Sequence, residues 1–103
     1  MSSAVVLTTF ANQEEAENTV KTLIEEKLIA CAQLIEIKSK YVWEGKIEDA
    51  KEILCLLKTK EKLFEKIEKR IRELHSYGVP EIIMLKIEDG SREYLKWLEE
   101  SIG

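Results

Sequence analysis

The chain has 103 residues, of which 45% are hydrophobic and 35% charged, and a net charge of −4. These values predict one globular domain, 1–103, and exclude a disordered chain or one with a basic surface for nucleic acid. The apolar runs are shorter than the roughly 20 residues that span a bilayer, and the N-terminal segment has no charged signal region. We therefore expect a cytoplasmic protein with neither a nucleic-acid nor a membrane partner.

The first half of the chain predicts a strand, a helix and the beginning of a second strand. Residues 5–9 are apolar and rich in β-branched side chains, which is typical of a short strand. Asn12 is placed to cap a helix over residues 13–27, where apolar residues recur at helical spacing. The second strand should then begin near residue 28.

The segment 34–59 predicts a long β-hairpin that turns in the WEGK sequence at 43–46. Apolar and charged residues alternate along its first arm, as expected for a strand with one apolar face. The ten residues before the turn make an arm of roughly 33 Å. The other predicted strands have about five to seven residues, so the hairpin should extend beyond its sheet and pair its free edges with other copies of the chain.

The apolar face of this arm predicts an interface between copies. Its members are Ile35, Ile37, Tyr41 and Trp43. Aromatic side chains on an exposed ribbon are typical interface anchors. Stacking of Tyr41 and Trp43 on a ligand is the alternative interpretation, and we favour the interface.

The second half of the chain predicts a central strand, a helix, an edge strand and a last helix. Residues 53–57, ILCLL, have no polar face, which indicates a strand covered on both sides. Thr59 is the predicted N-cap of a helix that ends near His75, ahead of a Gly-Val-Pro segment. Residues 82–87 follow as a strand, and Ser91 is placed to cap the last helix.

The element order β-α-β-β-α-β plus a C-terminal helix predicts an α+β fold, the ferredoxin-like split βαβ arrangement. Two helices should cover one face of an antiparallel sheet. The strands at 53–57 and 82–87 are apolar on both faces, and the C-terminal helix is too short to cover the second face alone. We expect other copies of the chain to cover it, at about 25 cal/mol for each Å² removed from water.

No pattern in the sequence predicts catalysis or a required cofactor. There is no phosphate-binding glycine loop, no HExxH and no set typical of nucleophilic catalysis. Cys31 and Cys55 lie in apolar strand segments, which favours buried, reduced thiols over Cu(I) ligands. The abundance of Glu and Lys, with little Asn or Gln, is typical of heat-stable proteins. We therefore expect a thermostable protein that is not an enzyme.

Several segments together resemble the CutA-type divalent-cation tolerance family. They are TTF at 8–10, IACA at 29–32, YVWEGKI at 41–47, LKT at 57–59, HSYGVPEI at 75–82 and EYLKWL at 93–98. The resemblance implies a ferredoxin-like homotrimer similar to PII-type signalling proteins. It also implies a role in tolerance to copper and other divalent metals, with copper bound by some bacterial members. Where those members carry a Cys and a second His, this chain has Thr8 and Leu74.

The resemblance points to His75, the single histidine, as a ligand for copper or another divalent metal. Imidazole suits copper and zinc, and Glu81 or a carboxylate of another copy is the candidate second ligand. A complete site needs three or four ligands. The alternative is a histidine whose charged form is stabilised by the end of a helix.

A second candidate site lies where the central strand leaves the sheet. Lys58 and Thr59 would hold a small anionic ligand in a cleft between subunits, as in PII-type signalling modules. The alternative is a solvated lysine beside a helix-capping threonine.

Overall fold

The computed structural model describes residues 2–102 and contains one four-stranded sheet with three α-helices. The sheet order is β2-β3-β1-β4, and every neighbouring pair is antiparallel. This is the ferredoxin-like arrangement that the element order predicts. In chain order the elements are β1 (Ser3–Phe10), α1 (Gln13–Glu25), β2 (Cys31–Trp43), β3 (Lys46–Lys60), α2 (Phe64–Leu74), β4 (Ile82–Lys86) and α3 (Arg92–Ser101).

Helices α1 and α2 cover one face of the sheet and form the main core with it. Val6 of β1 and Leu57 of β3 are fully buried there. Leu23 of α1 and Ile71 of α2 meet them from the helix layer. Removing these side chains from water is the main stabilising contribution to the fold.

Both ends of α1 are closed by local hydrogen bonds. The side chain of Asn12 accepts a hydrogen bond from the backbone N–H of Glu15 at 2.9 Å, so the predicted cap is confirmed. At the other end, Lys27 has φ 58° and the N–H of Leu28 donates to the carbonyl of Leu23 at 3.0 Å. This Schellman arrangement ends the helix at Glu25, two residues earlier than the sequence predicts.

The prediction that Thr59 caps α2 is wrong. Strand β3 continues to Lys60, which still pairs with Ser3 of β1. The Thr59 side chain is fully buried and donates a 2.7 Å hydrogen bond to the carbonyl of Leu28. A short 3₁₀ turn, Glu61–Leu63, then leads into α2 without any side-chain cap.

The β2–β3 hairpin extends beyond its sheet, as predicted. Strand β1 pairs with β3 only as far as Ile53, whereas β2 and β3 remain paired from there to the turn. We call the two-stranded part, residues 37–52, the ribbon. Glu44 and Gly45 at its tip both have positive φ, 49° and 78°, which is typical of a type I′ turn.

The second face of the sheet is only partly covered. Helix α3 begins at the predicted cap Ser91, and its Leu98 is buried against one end of this face. Ile83 and Leu85 of β4 remain 46% and 53% exposed in the single chain. Tyr94 of α3 is also exposed. We refer to this side of the sheet as the open face.

Within residues 2–102, no helix is long and apolar enough to cross a membrane.

Candidate functional site

The His75 side chain occupies a closed pocket just after α2. Its ring stacks on Phe10, with 4.4 Å between the ring centroids and 13° between the planes. Tyr77 packs at a tilt, with a centroid distance of 4.8 Å. No surface of the His75 side chain is accessible to solvent. The alternation of β1 explains the stacking, because Phe10 points from the end of that strand into the helix-covered core.

Both ring nitrogens of His75 are hydrogen-bonded to the backbone. Nε2 lies 2.6 Å from the carbonyl oxygen of Thr9, and the N–H of Tyr77 lies 3.0 Å from Nδ1. A carbonyl only accepts and a backbone N–H only donates. The ring is therefore a neutral imidazole with its proton on Nε2, and its one free lone pair accepts from Tyr77.

Two carboxylates bind the residues that follow His75. The backbone N–H and the hydroxyl of Ser76 donate to the carboxylate of Glu15 at 2.8 and 3.0 Å. The hydroxyl of Tyr77 donates to Glu52 at 2.8 Å. Burial, together with the Glu52 carboxylate, raises the pKa of Tyr77 above its usual range. The sequence-based interpretation missed both carboxylates, because neither lies near His75 in the chain.

The residues around His75 do not fit a copper ion in the single chain. Within residues 2–102, no three His, Cys, Asp or Glu side chains come together as a metal site. Among residues 2–102 the buried hydroxyl of Thr8 has no hydrogen-bond partner, and Leu74 offers only hydrocarbon. Copper prefers imidazole and thiolate ligands with free lone pairs. Glu81 is exposed beside β4, and a metal held by His75 and Glu81 stays a prediction that this geometry does not favour.

The two residues of the predicted anion cleft lie on opposite faces of β3. Thr59 is buried beneath the helices. The ammonium group of Lys58 lies on the open face, 3.4 Å from the hydroxyl of Tyr94 and 5.5 Å from its ring centroid. Successive side chains of a strand point to opposite faces, so the sequence already contained the signal for this separation.

Tyr94 and Cys31 stand beside Lys58 in place of Thr59. The Cys31 sulfur is 3.5 Å from the Tyr94 hydroxyl oxygen. The hydrogen bond with Cys31 and partial burial raise the pKa of Tyr94, while Lys58 acts in the opposite direction. No local pattern indicates this cluster, because α3 and β3 are distant in the chain.

The predicted interface residues lie together on the open face of the hairpin. Ile35 and Trp43 are 49% and 51% exposed there in the single chain. They are joined by Tyr41 and the part-buried Ile37. Whether another copy binds them stays a prediction.

The ribbon tip carries a second apolar pair that the sequence-based interpretation missed. Val42 and Ile47 are paired across the two strands on the opposite face and are 74% and 78% exposed. The sequence contained a signal for this pair, because Val42 lies between Tyr41 and Trp43 and successive side chains of a strand point to opposite faces.

The sequence and the fold match one family of known proteins. The family model described as CutA1 divalent ion tolerance protein matches residues 4–101. The divalent-cation tolerance protein CutA of Pyrococcus horikoshii is 53% identical over 96 residues, covering 93% of this chain and 94% of its own length. The chloroplastic CutA protein of Arabidopsis thaliana is 39% identical over 100 residues, covering 96% of this chain and 55% of its own length.

Solved structures agree with the sequence matches. The structure of a protein described as the periplasmic divalent cation tolerance protein CutA of Archaeoglobus fulgidus superposes with a TM-score of 0.96. It is 38% identical in sequence, and the match covers 98% of this chain and 99% of that one. The fold and the sequence thus agree over nearly the whole length, and the chain belongs to the CutA1 divalent ion tolerance family.

Proposed function

We propose that this protein serves tolerance to divalent cations, copper among them, as a homotrimer that is not an enzyme and requires no cofactor to fold. The observation that carries this proposal is the family match over residues 4–101, together with 53% identity to a relative named for divalent-cation tolerance. Metal would be bound weakly, by side chains that several copies contribute together.

The two unpaired thiols, Cys31 and Cys55, suit the reducing cytoplasm, where we place the protein. Its recovery from another cell fraction would contradict that placement.

Assembly is the part of the proposal that the geometry supports best. The ribbon has two unpaired edges, and the open face presents Ile35, Ile83 and Leu85 to solvent in the single chain. Unpaired edges and apolar patches of this kind are usually covered by a partner. A second and a third copy supply both an edge and an apolar face of matching composition.

A second candidate function is a PII-like signalling module that binds a small anionic ligand between subunits. The observation in its favour is Lys58, a cationic group on the open face, with the Tyr94 hydroxyl beside it. Lysine and hydroxyl donors together suit a carboxylate or phosphate group. Thr59 has no part in this second candidate site, because its hydroxyl donates to the carbonyl of Leu28.

A thermal-shift screen of the purified protein separates the two functions. A ligand that binds only the folded state raises the melting temperature, and the rise grows with the logarithm of ligand concentration once that exceeds the dissociation constant. Tolerance by direct binding predicts that Cu²⁺ or another divalent ion raises it and nucleotides do not. A rise with nucleotides or other small anions alone, absent in Lys58→Gln, would favour the signalling module.

A further inference from the structure

Three consecutive residues, His75, Ser76 and Tyr77, contact three different elements of the fold. His75 donates to the backbone of β1 at Thr9. Ser76 donates twice to Glu15 of α1, and Tyr77 donates to a glutamate of β3. We call these three residues the HSY clasp. Each side chain of the clasp is therefore bonded to a partner, and the three partners belong to different elements.

The imidazole of the clasp has no nitrogen left for a metal ion. A neutral imidazole binds metal through its unprotonated nitrogen, which here is Nδ1. That lone pair accepts from the N–H of Tyr77, and the opposite nitrogen is held by Thr9 at 2.6 Å. The stacked ring of Phe10 closes one face, and the side chain has no accessible surface. A metal ion would have to break these contacts first, and additional copies of the chain would not free the lone pair.

The bond that Tyr77 makes lies where the ribbon leaves the sheet. The pairing of β3 with β1 ends at Ile53. Glu52, the neighbouring residue on the ribbon side, pairs only with Ile37 of β2. Glu52 is only 9% exposed, so its carboxylate needs a donor, which the Tyr77 hydroxyl provides. This bond joins Glu52, at the base of the ribbon, to the loop after α2. The clasp thereby connects the base of the ribbon to the helix layer.

We propose that the HSY clasp, where the family resemblance would place a metal ligand, is a fastening that positions the ribbon, with His75 as a neutral imidazole closed to metal ions. Two further positions agree with this assignment. Thr8, a buried alcohol, and Leu74, a hydrocarbon, stand where a copper site would need stronger ligands. The proposal concerns these residues alone and holds whether or not the protein acts in metal tolerance.

Nitrogen NMR of the single histidine tests the first half of the proposal in the unmodified protein. With ¹⁵N-histidine, we expect one ring pattern, with the proton on Nε2 and the lone pair on Nδ1. Zinc, which is diamagnetic, is the probe, and excess Zn²⁺ should leave both ring shifts unchanged. A saturable shift of either nitrogen with Zn²⁺ would overturn the assignment. The Zn²⁺ isotherm of His75→Gln should match that of the wild type, and loss of a binding site would also contradict it.

Hydrogen exchange of the ribbon amides tests the second half. Tyr77→Phe removes only the hydroxyl, and we expect the amides of residues 37–52 to exchange roughly tenfold faster, as for loss of one hydrogen bond to a charged group. Glu52→Gln keeps an acceptor and should have a smaller effect. Tyr94→Phe is the matched control, because its hydroxyl contacts Lys58 and Cys31 instead. Equal ribbon exchange in Tyr77→Phe and the wild type would refute the positioning role.

Discussion

The hydroxyl of Thr59 donates a 2.7 Å hydrogen bond to the carbonyl oxygen of Leu28, which joins β3 to the segment after α1. Thr59 is fully buried and Leu28 is partly buried, and Thr59→Val leaves the carbonyl without this donor. We expect a loss of about 1–3 kcal/mol in the free energy of unfolding. Guanidinium denaturation at fixed protein concentration measures it. Thr59→Ser keeps the hydroxyl and should recover most of that loss, and equal values for the two variants would contradict this role.

Thr8→Val should raise the free energy of unfolding, whereas Thr59→Val should lower it. Thr8 is fully buried, and its hydroxyl has no hydrogen-bond partner in the part of the chain that the structure describes. Thr8→Val replaces the unpaired hydroxyl with a methyl group of similar size. We expect a gain of about 1 kcal/mol in the free energy of unfolding. A loss similar to that of Thr59→Val would show that the hydroxyl has a partner, such as a bound water molecule.

Lys27 occupies the left-handed position that ends α1, with φ 58°. Glycine takes this conformation without the steric cost that a side chain brings. We expect Lys27→Gly to raise the free energy of unfolding by up to about 1 kcal/mol. Lys21→Gly, at an exposed position inside the same helix, should lower it by about 1 kcal/mol. A loss in both variants would mean that the contacts of the Lys27 side chain outweigh its backbone strain.

Trp43 should hold copies of the chain together through the open face of the ribbon. Its side chain is half exposed in the single chain, and truncating a buried interface aromatic typically costs 2 kcal/mol or more, roughly thirtyfold in affinity. Sedimentation velocity over a range of dilutions should show a trimer for the wild type and earlier dissociation for Trp43→Ala. Lys38→Ala, on the opposite face of the ribbon, should behave as the wild type. A stable lone chain at micromolar concentration would refute the assembly itself.

The thiol of Cys55 should make the fold sensitive to alkaline pH. Burial raises its pKa from 9.0 to about 11. As the pH rises, the thiol therefore loses its proton in the unfolded state before it does so in the folded state. The contribution of the protonated thiol to the free energy of unfolding is complete below pH 9 and is lost as the pH rises towards 11. The free energy of unfolding falls by up to about 1.4 kcal/mol for each pH unit, and the total loss is about 3 kcal/mol. Unfolding curves between pH 8 and 11 should show this decline in Cys31→Ala and a shallower one in Cys55→Ala.

Local patterns in the sequence were sufficient for the elements and their order. The period of two in the hairpin arm, the helical spacing of apolar residues and the capping side chains of Asn12 and Ser91 each depend on neighbours within a few positions. The excess of apolar surface on the sheet also followed from sequence, because strands 53–57 and 82–87 have no polar face. The family resemblance rested on short segments in the right order, and the matches confirm it.

The tertiary structure decided what the individual polar side chains do. Thr59 was suited to cap a helix by its position in the chain, but the pairing of Lys60 with Ser3 kept it in the strand and turned it towards Leu28. The tautomer and closure of His75 depend on Thr9, 66 residues away in the chain. Periodicity reports which face of an element a residue occupies, whereas hydrogen-bond partners are brought together only when distant elements pack. The sequence by itself therefore determined the fold and its family, and the packing determined which polar groups are available for chemistry.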